Sequence, residues 1–513
     1  LNRVAEERLV TAQKIASVCS PDFQRKTAAE FAEAWRWAML HDEHTWGAEG
    51  SVWHPESKPA IEQWAVKRTF SMYADEQSNR LLRKAMDELC GGLRVGKDSV
   101  LVFNPSSWAR SEWMDFEGRG GHALSLYADS VPPMGYKVFP LSRAVPSKQQ
   151  PVPGNTLENR YYRITFDAAT GAVASIFDKD LGRELVDPKP YGANCYLYVS
   201  GGDTDDWSGP NASTLQVNVP SGARFEKLQS PGAHVMKISA EAMNAKDFSS
   251  EVILYHNCKR IDFVNRMDKV ETLKKEGGYF AFPFAFKNPQ IRLEIPDGVI
   301  RPEIDQLPAA CRDWYCVQNF ATISDGGAAV AWSAVDSPLV TLQDVNRAQW
   351  RDHIKIENGS VFAYVFNNYW FTNYKASQGG PLTFRFSMTS ARSVSDIQAK
   401  RFGETVHQPL VCKIVNATPG AKNSTSRSFV SVAGDDIILQ AVAPARFTDG
   451  VVLRLREMSG KATTARVDVR GISFKRAYLS NLGEDKLKVL AVKNGAIEVK
   501  CRALGLTTII LER

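Results

Sequence analysis

Apolar positions follow two different periods along this chain, and the change falls near residue 95. Before it the period is helical. Phe31, Ala34, Trp35, Ala38 and Met39 recur at the i, i+3, i+4, i+7, i+8 spacing of one buried helix face. The opening stretch LNRVAEERLVTAQKIA also has the amphipathic helical pattern. A further helical stretch runs from about Pro59 to Cys90, with Trp64, Phe70, Leu81, Leu82, Ala85 and Leu89 on its apolar face. Gly91-Gly92 are predicted to end it in the left-handed conformation that glycine tolerates. The Gly- and Pro-rich loop GAEGSVWHPESKP separates the two. From Ser99 the pattern is that of strands: Val100 to Phe103, then YYRITFD, VILYHN, AAVAWSAV, VFAYVFNNYWF and LTFRFSMTS, punctuated by Gly, Asp, Asn and Pro. The sum predicts an α+β multidomain chain. A helical bundle over 1–95 precedes a small β domain over 96–150, a large β-supersandwich over 151–415 and a C-terminal β-sandwich over 416–513.

Composition narrows this little. The 513 residues are 44% hydrophobic and 23% charged, ordinary for a globular chain. A net charge of +6 spread over that length, with no dense Lys/Arg block, gives nucleic-acid binding no support. No apolar run approaches the ~18 residues a membrane span needs, so no membrane partner is expected. The first residues lack the apolar core of a signal peptide and open inside a helix. They read as a start cut from something longer, which leaves the compartment unbounded. The eight cysteines show no organised spacing: Cys311 and Cys316 form a C-x4-C with no second pair, and buried free thiols are expected. Sequons at Asn211, Asn358, Asn416 and Asn423 bear on the chain only in a secreted eukaryotic setting.

The sharpest chemical feature is Leu40-His41-Asp42-Glu43-His44-Thr45-Trp46-Gly47, four consecutive titratable side chains at a helix end. At about 100° per residue, Asp42 falls about 20° from Phe31 and His41 about 80° to one side. Asp42 is therefore expected on the buried stripe. A carboxylate there is costly unless paired or metal-bound, and zinc sites combine His with Asp or Glu. The alternative is that Asp42 caps a neighbouring helix while the histidines are solvated. The i, i+3 histidines do not match the i, i+4 spacing of a metalloprotease helix. His54, His122, His234, His256, His353 and His407 are scattered and read as structural or exposed.

With these residues in view, the chain resembles the family 38 α-mannosidases of glycoside hydrolases. HDEHTWGA is similar to that family's H-D-x-x-T-G motif, and to the E-H-T-W-G of its bacterial branch. VLVFNPSSWAR, VPPMGYKVFPL, LENRYYRITFDAATGAVASIFDKDLGRELVD, NNYWFTNYKASQGGPLTFRF, and GVVLRLREMSG with LTTIILER follow in the family's order. The large β region resembles the galactose-mutarotase-like supersandwich that several glycosidase families share. The resemblance implies hydrolysis of terminal α-mannosides with retention, through a covalent glycosyl-enzyme and a closely spaced pair of carboxylates. It implies one Zn2+ held by two His and two Asp, which contacts the sugar's 2- and 3-hydroxyls and polarises its oxygens. It also implies that the nucleophile, the acid/base and most zinc ligands come from an N-terminal domain, a partner this sequence does not contain. Read directly, the motif makes His41 the ligand and Asp42 the adjacent sugar-contacting carboxylate; read by the bacterial pattern, it makes His44 the ligand. Anchoring on Gly47 instead sets Asp42 opposite the family's histidine. His44 is the favoured metal residue and His41 the second, with Asp42 and Glu43 the carboxylates of the catalytic segment and Trp46 beside them at the substrate. The expected partners are a mannoside or oligosaccharide, the N-terminal catalytic domain and, as in many family members, further copies of the chain.

A second candidate is Asn367-Asn368-Tyr369-Trp370-Phe371-Thr372-Asn373. Strand alternation would put Asn367, Tyr369 and Phe371 on one face and Asn368, Trp370 and Thr372 on the other. Asn amides beside an aromatic face suit a sugar, which makes Asn367, Asn368, Trp370 and Asn373 substrate-binding candidates; a plain sandwich strand is the competing reading. Asp178-Lys179-Asp180 reads as an exposed turn, and Arg454 with Glu457 as an ion pair inside the last sandwich. A non-catalytic carbohydrate-binding or structural β-sandwich module is the other functional class these patterns allow, since fold alone does not give function.

Overall fold

The computed structural model describes residues 1–44, 47–202, 214–345, 351–370, 373–418, 420 and 425–513. They form two compact units: residues 1–43, 67–147 and 407–513 in the first, and 44–66 and 148–406 in the second.

The first unit begins with helices α1 (Asn2–Ser17) and α2 (Pro21–Asp42) and takes in helix α3 (Lys58–Gly91) from Lys67 onward. Ser20 caps α2, its hydroxyl accepting the Phe23 N–H at 3.2 Å, and Pro21 opens the helix where no amide donor is needed. Phe31, Ala34 and Ala38 are buried as the spacing predicts, whereas Met39 is 61% exposed. Met39 sits about 80° round the helix from Phe31, on the flank of a stripe narrower than predicted. Gly91 and Gly92 end α3 without entering the left-handed region. There, the Leu93 N–H reaches the Cys90 carbonyl at 3.0 Å.

The helices, the small β region and the last sandwich were expected as separate domains, yet they share one core. Leu9, Ile15, Phe31 and Leu81 pack in the same cluster as Leu101 and Phe103 and as Leu439, Val451, Leu453 and Leu511. Ser99–Asn104 is buried on both faces because it is an inner strand, with Val411–Val415 on one side and Gly135–Pro140 on the other. Four- and five-stranded antiparallel sheets complete the unit's C-terminal sandwich. Arg454 and Glu457 are not an ion pair in it. Three residues apart on a strand they face opposite sides: Arg454 donates to the Leu482 carbonyl, and Glu457 accepts the N–H groups of Ser459, Gly460 and Leu504.

Among the described residues the second unit is a supersandwich of a six-stranded and a ten-stranded sheet, with a four-stranded sheet built from residues 157–184. Tyr196, Phe280, Phe282 and Phe284 of the smaller sheet meet Leu254, Phe263, Trp332 and Phe386 of the larger in one core. The smaller sheet is buried on its other face as well. There Leu197, Val199, Tyr279, Phe362 and Tyr364 lie under loop aromatics Trp314, Tyr369 and Trp370. Burial on both faces explains the unbroken apolar run GYFAFPFAF in strand Glu276–Lys287. Helix α4 (Asp396–His407) was not anticipated. It seats on the larger sheet through Ala399 and Phe402 and through buried Lys400, which bonds Glu294 at 2.8 Å and Asn319 at 2.7 Å.

Asp178 is not the exposed turn residue its neighbours suggest. It is 0% exposed and receives Ser390 Oγ at 2.5 Å, Lys259 Nζ at 2.8 Å and the Asp180 N–H at 2.9 Å, so it pins the hairpin from inside. All eight cysteines are free, and Cys311 and Cys316 are exposed rather than buried.

Candidate functional site

The HDEHTWGA segment begins inside α2 and leaves it after Asp42. Lys67 of α3 closes the helix end, its ammonium donating to the carbonyls of Leu40 (2.9 Å) and Glu43, where the dipole favours a cation. His41 is half-buried, with Nδ1 at 3.4 Å from the Lys67 carbonyl. Burial holds its imidazole below the ordinary value, so it is neutral at neutral pH. Asp42 does not lie on the buried stripe as the helical count implied. It is exposed to one side and turned to α1, accepting Asn2 Nδ2 at 2.8 Å, and the same Asn2 amide reaches Glu6 at 3.2 Å. Burial first, and Asp42 second, push the Glu6 carboxyl up to about 8. Glu43 and His44 are exposed, and Trp46, with Thr45, lies outside the described residues.

Past that gap the chain turns inward. Gly47 and Ala48 are buried. The Ala48 N–H donates to the Asn373 carbonyl at 2.8 Å, and Ser51 Oγ donates to the Tyr374 carbonyl. Gly50, at φ +72°, takes the turn that lets the His54 N–H return to its carbonyl. The downstream end of the first candidate segment is thus clasped to the second.

That second segment is a strand only up to Asn367; Asn368, Tyr369 and Trp370 follow as loop, so the predicted alternation stops there. Phe371 and Thr372 lie outside the described residues. The Tyr374 hydroxyl lies 3.1 Å from both Asn367 Oδ1 and the Trp370 carbonyl, and accepts the Trp370 N–H at 3.2 Å. Trp370 stands edge-on to Trp314 (4.9 Å between ring centres) and to Tyr364 (5.9 Å). Asn373 is exposed. Asn368 is 5% exposed, and its amide is spent on the backbone: Oδ1 accepts the Glu276 N–H at 2.6 Å, and Nδ2 donates to the carbonyls of Lys274 (2.8 Å) and Ala376 (3.2 Å). This is a loop anchor, not an amide facing a ligand. Sequence reasoning missed Trp314, Tyr364 and Tyr374 as neighbours of Trp370; the aromatic pair in RDWYC was the signal available for the first.

Among the described residues no three His, Cys, Asp or Glu side chains converge as a metal site. His41 has ring nitrogen Nδ1 on a backbone carbonyl, an arrangement that zinc-bound imidazoles use to fix the tautomer. Asp42, committed to α1, does not complete a set with it. The described residues therefore fit one ligand position of a zinc centre, not a whole one.

Comparison with known proteins assigns the class. Residues 157–333 match the glycosyl hydrolases family 38 C-terminal domain, and residues 436–506 match that family's C-terminal beta sandwich domain. No curated protein matches the chain by sequence. An alpha-mannosidase from Enterococcus faecalis V583 has the same fold at TM-score 0.73 and 11% identity, over 99% of this chain and 66% of its own. A glycosyl hydrolase family 38 protein from Enterococcus faecalis matches at TM-score 0.71 and 11% identity, over 100% of this chain and 70% of its own. The chain carries the C-terminal domains of glycosyl hydrolase family 38, and spans about two thirds of the length of these two structures.

Proposed function

We propose that this chain forms the non-nucleophilic part of a retaining, zinc-dependent α-mannosidase that hydrolyses terminal α-mannosides. The nucleophile, the acid/base and the remaining metal ligands then come from polypeptide outside it. The family match supports the glycosidase class. The bond from Ala48 to Asn373 supports the site assignment, because it joins the downstream end of the HDEHTWGA segment to an aromatic, amide-bearing loop. On this reading His44 or His41 supplies one zinc ligand. Its neutral form is the one that ligates, and burial already favours that form at His41. Bound zinc would supply orientation and polarisation of the sugar hydroxyls. On the same reading Trp370 would pack on the sugar's C–H groups, Asn367, Asn368 and Asn373 are the amide candidates of its loop, and Trp46 and Glu43 stand beside the imidazoles along the chain.

Two measurements test it. Zinc titration calorimetry on a polypeptide extended upstream of Leu1, and on its His44→Ala and His41→Ala variants, should show one variant weakened at least ~10-fold; unchanged affinity in both rejects the ligand assignment. Hydrolysis of 4-nitrophenyl α-mannoside by a polypeptide extended upstream of Leu1, with and without zinc, should be lost on metal removal.

A second reading, a non-catalytic carbohydrate-binding or structural module, is favoured by one observation. Asp42, the carboxylate nearest the imidazoles in the motif, is turned to Asn2 and Glu6 of α1 rather than toward a ligand. Mannoside hydrolysis by the extended polypeptide would exclude it.

A further inference from the structure

Strand Ile261–Lys269 ends, and strand Glu276–Lys287 begins, at a fully buried ion pair. Lys269 Nζ lies 2.6 Å from Glu276 Oε1, with the two side chains 0% and 2% exposed. Removing two charges from water costs more than their attraction returns unless the remaining donors and acceptors are satisfied. Here they are. The other Glu276 oxygen accepts the Tyr198 hydroxyl and Asn244 Nδ2, each at 2.8 Å. Lys269 also donates to the Val270 carbonyl at 2.7 Å and stands over the Phe366 ring at 5.1 Å.

A pair of apolar side chains of the same volume would serve stability as well or better. What the ion pair adds is a fixed place for the Glu276 backbone, and that backbone is where the candidate loop is held. Glu276 and Asn368 exchange two hydrogen bonds, the Glu276 N–H to Asn368 Oδ1 at 2.6 Å and the Asn368 N–H to the Glu276 carbonyl at 3.0 Å. Lys275 Nζ adds a third link to the Asn368 carbonyl at 3.0 Å. Asn368 Nδ2 then spans the loop mouth by holding Lys274 on one side and Ala376 on the other. Trp370 and Asn373 are carried between those two anchors.

We propose that Lys269, Glu276 and Asn368 are positioning residues. On this view the buried ion pair sets the conformation of the 368–376 loop, and so the placement of the Trp370 and Asn373 side chains against a saccharide. The saccharide half of this rests on the proposed function; the loop-setting half does not.

The test uses the intact chain and two variants, Lys269→Met/Glu276→Leu and Asn368→Ala. The first replaces both charges, so it leaves no buried ion unpaired. Hydrogen exchange by mass spectrometry reads the loop directly. Amides of residues 368–376 should exchange at least ~10-fold faster in both variants, with protection kept in strands Asn358–Asn367 and Gly380–Ala391, since loops held by few bonds open locally. Unchanged loop exchange, or equal loss of protection throughout the sandwich, overturns the proposal. Methyl α-mannoside affinity, measured by titration against Trp370→Ala, reads the consequence. If Trp370→Ala weakens binding, both variants should weaken it at least ~5-fold, and full affinity in them overturns the proposal. If wild type does not bind, or Trp370→Ala binds like wild type, the sugar reading of the loop fails, and the exchange result alone decides whether the ion pair sets the loop.

Discussion

The end of α2 and the loop after Asn367 are both dense in polar side chains, yet they use them differently. At the helix end Asp42, Glu43 and His44 are exposed, and the main constraint on the backbone comes from a lysine, Lys67, on neighbouring carbonyls. In the loop, Asn368 is buried, and its amide is consumed by three backbone groups. Polar residues saturated by backbone are scaffolding, because substituting them leaves buried partners unsatisfied. Polar side chains at the surface cost little to change.

This contrast can be broken by stability measurements, ordered by expected effect. Glu276→Ala should cost about 3–5 kcal/mol, the usual loss when one partner of a buried ion pair is removed, read from urea unfolding. Asn368→Ala should cost about 2–3 kcal/mol, as the Glu276 N–H and the Lys274 carbonyl lose their partner. A loss under 1 kcal/mol for either would erase the distinction. The Glu6–Asp42 pair gives a smaller, pH-dependent effect. The folded-state Glu6 carboxyl at about 8 lies above its ordinary 4.5, so the folded form holds the proton across that window. Stability from this group is complete below about 4.5 and is lost as pH rises through about 8. Glu6→Gln should therefore flatten the Tm decline between pH 5 and pH 8 by roughly 2–4 °C, and an unchanged slope would show that the Glu6 carboxyl is not raised. Last, His44→Ala should change stability by no more than about 0.5 kcal/mol. A large loss would place His44 in the scaffold.

Much of the architecture was legible because its signals are local. The spacing of Phe31, Ala34 and Ala38 and the apolar run from Val100 to Phe103 each state their own burial. What misled were charges whose partners lie far along the chain. Asp178 reads as a turn residue until Lys259 and Ser390 are beside it. Helix α4 reads as polar because Lys400 and Glu404 are buried, with Lys400 paired to Glu294. Asn368 reads as one step of a strand because the clasp that ends the strand comes from Glu276, 92 residues earlier. The same limit holds for the site. The sequence marks both segments, but their junction through Ala48 and Asn373 is a tertiary fact.

The ladder joining Ser99–Asn104 to Val411–Val415 has a consequence for how the molecule is made. These partners are separated by some three hundred residues, and everything from Lys148 to Val406 is synthesised between them. During translation the first unit must wait with an incomplete sheet, its inner strand open on one side, while residues 148–406 emerge and can fold. Closing so long a loop is entropically cheaper once the intervening segment is compact. The order of assembly is thus written into the topology: the inserted sandwich first, and the helices with both terminal sheets only after the last hundred residues have left the ribosome.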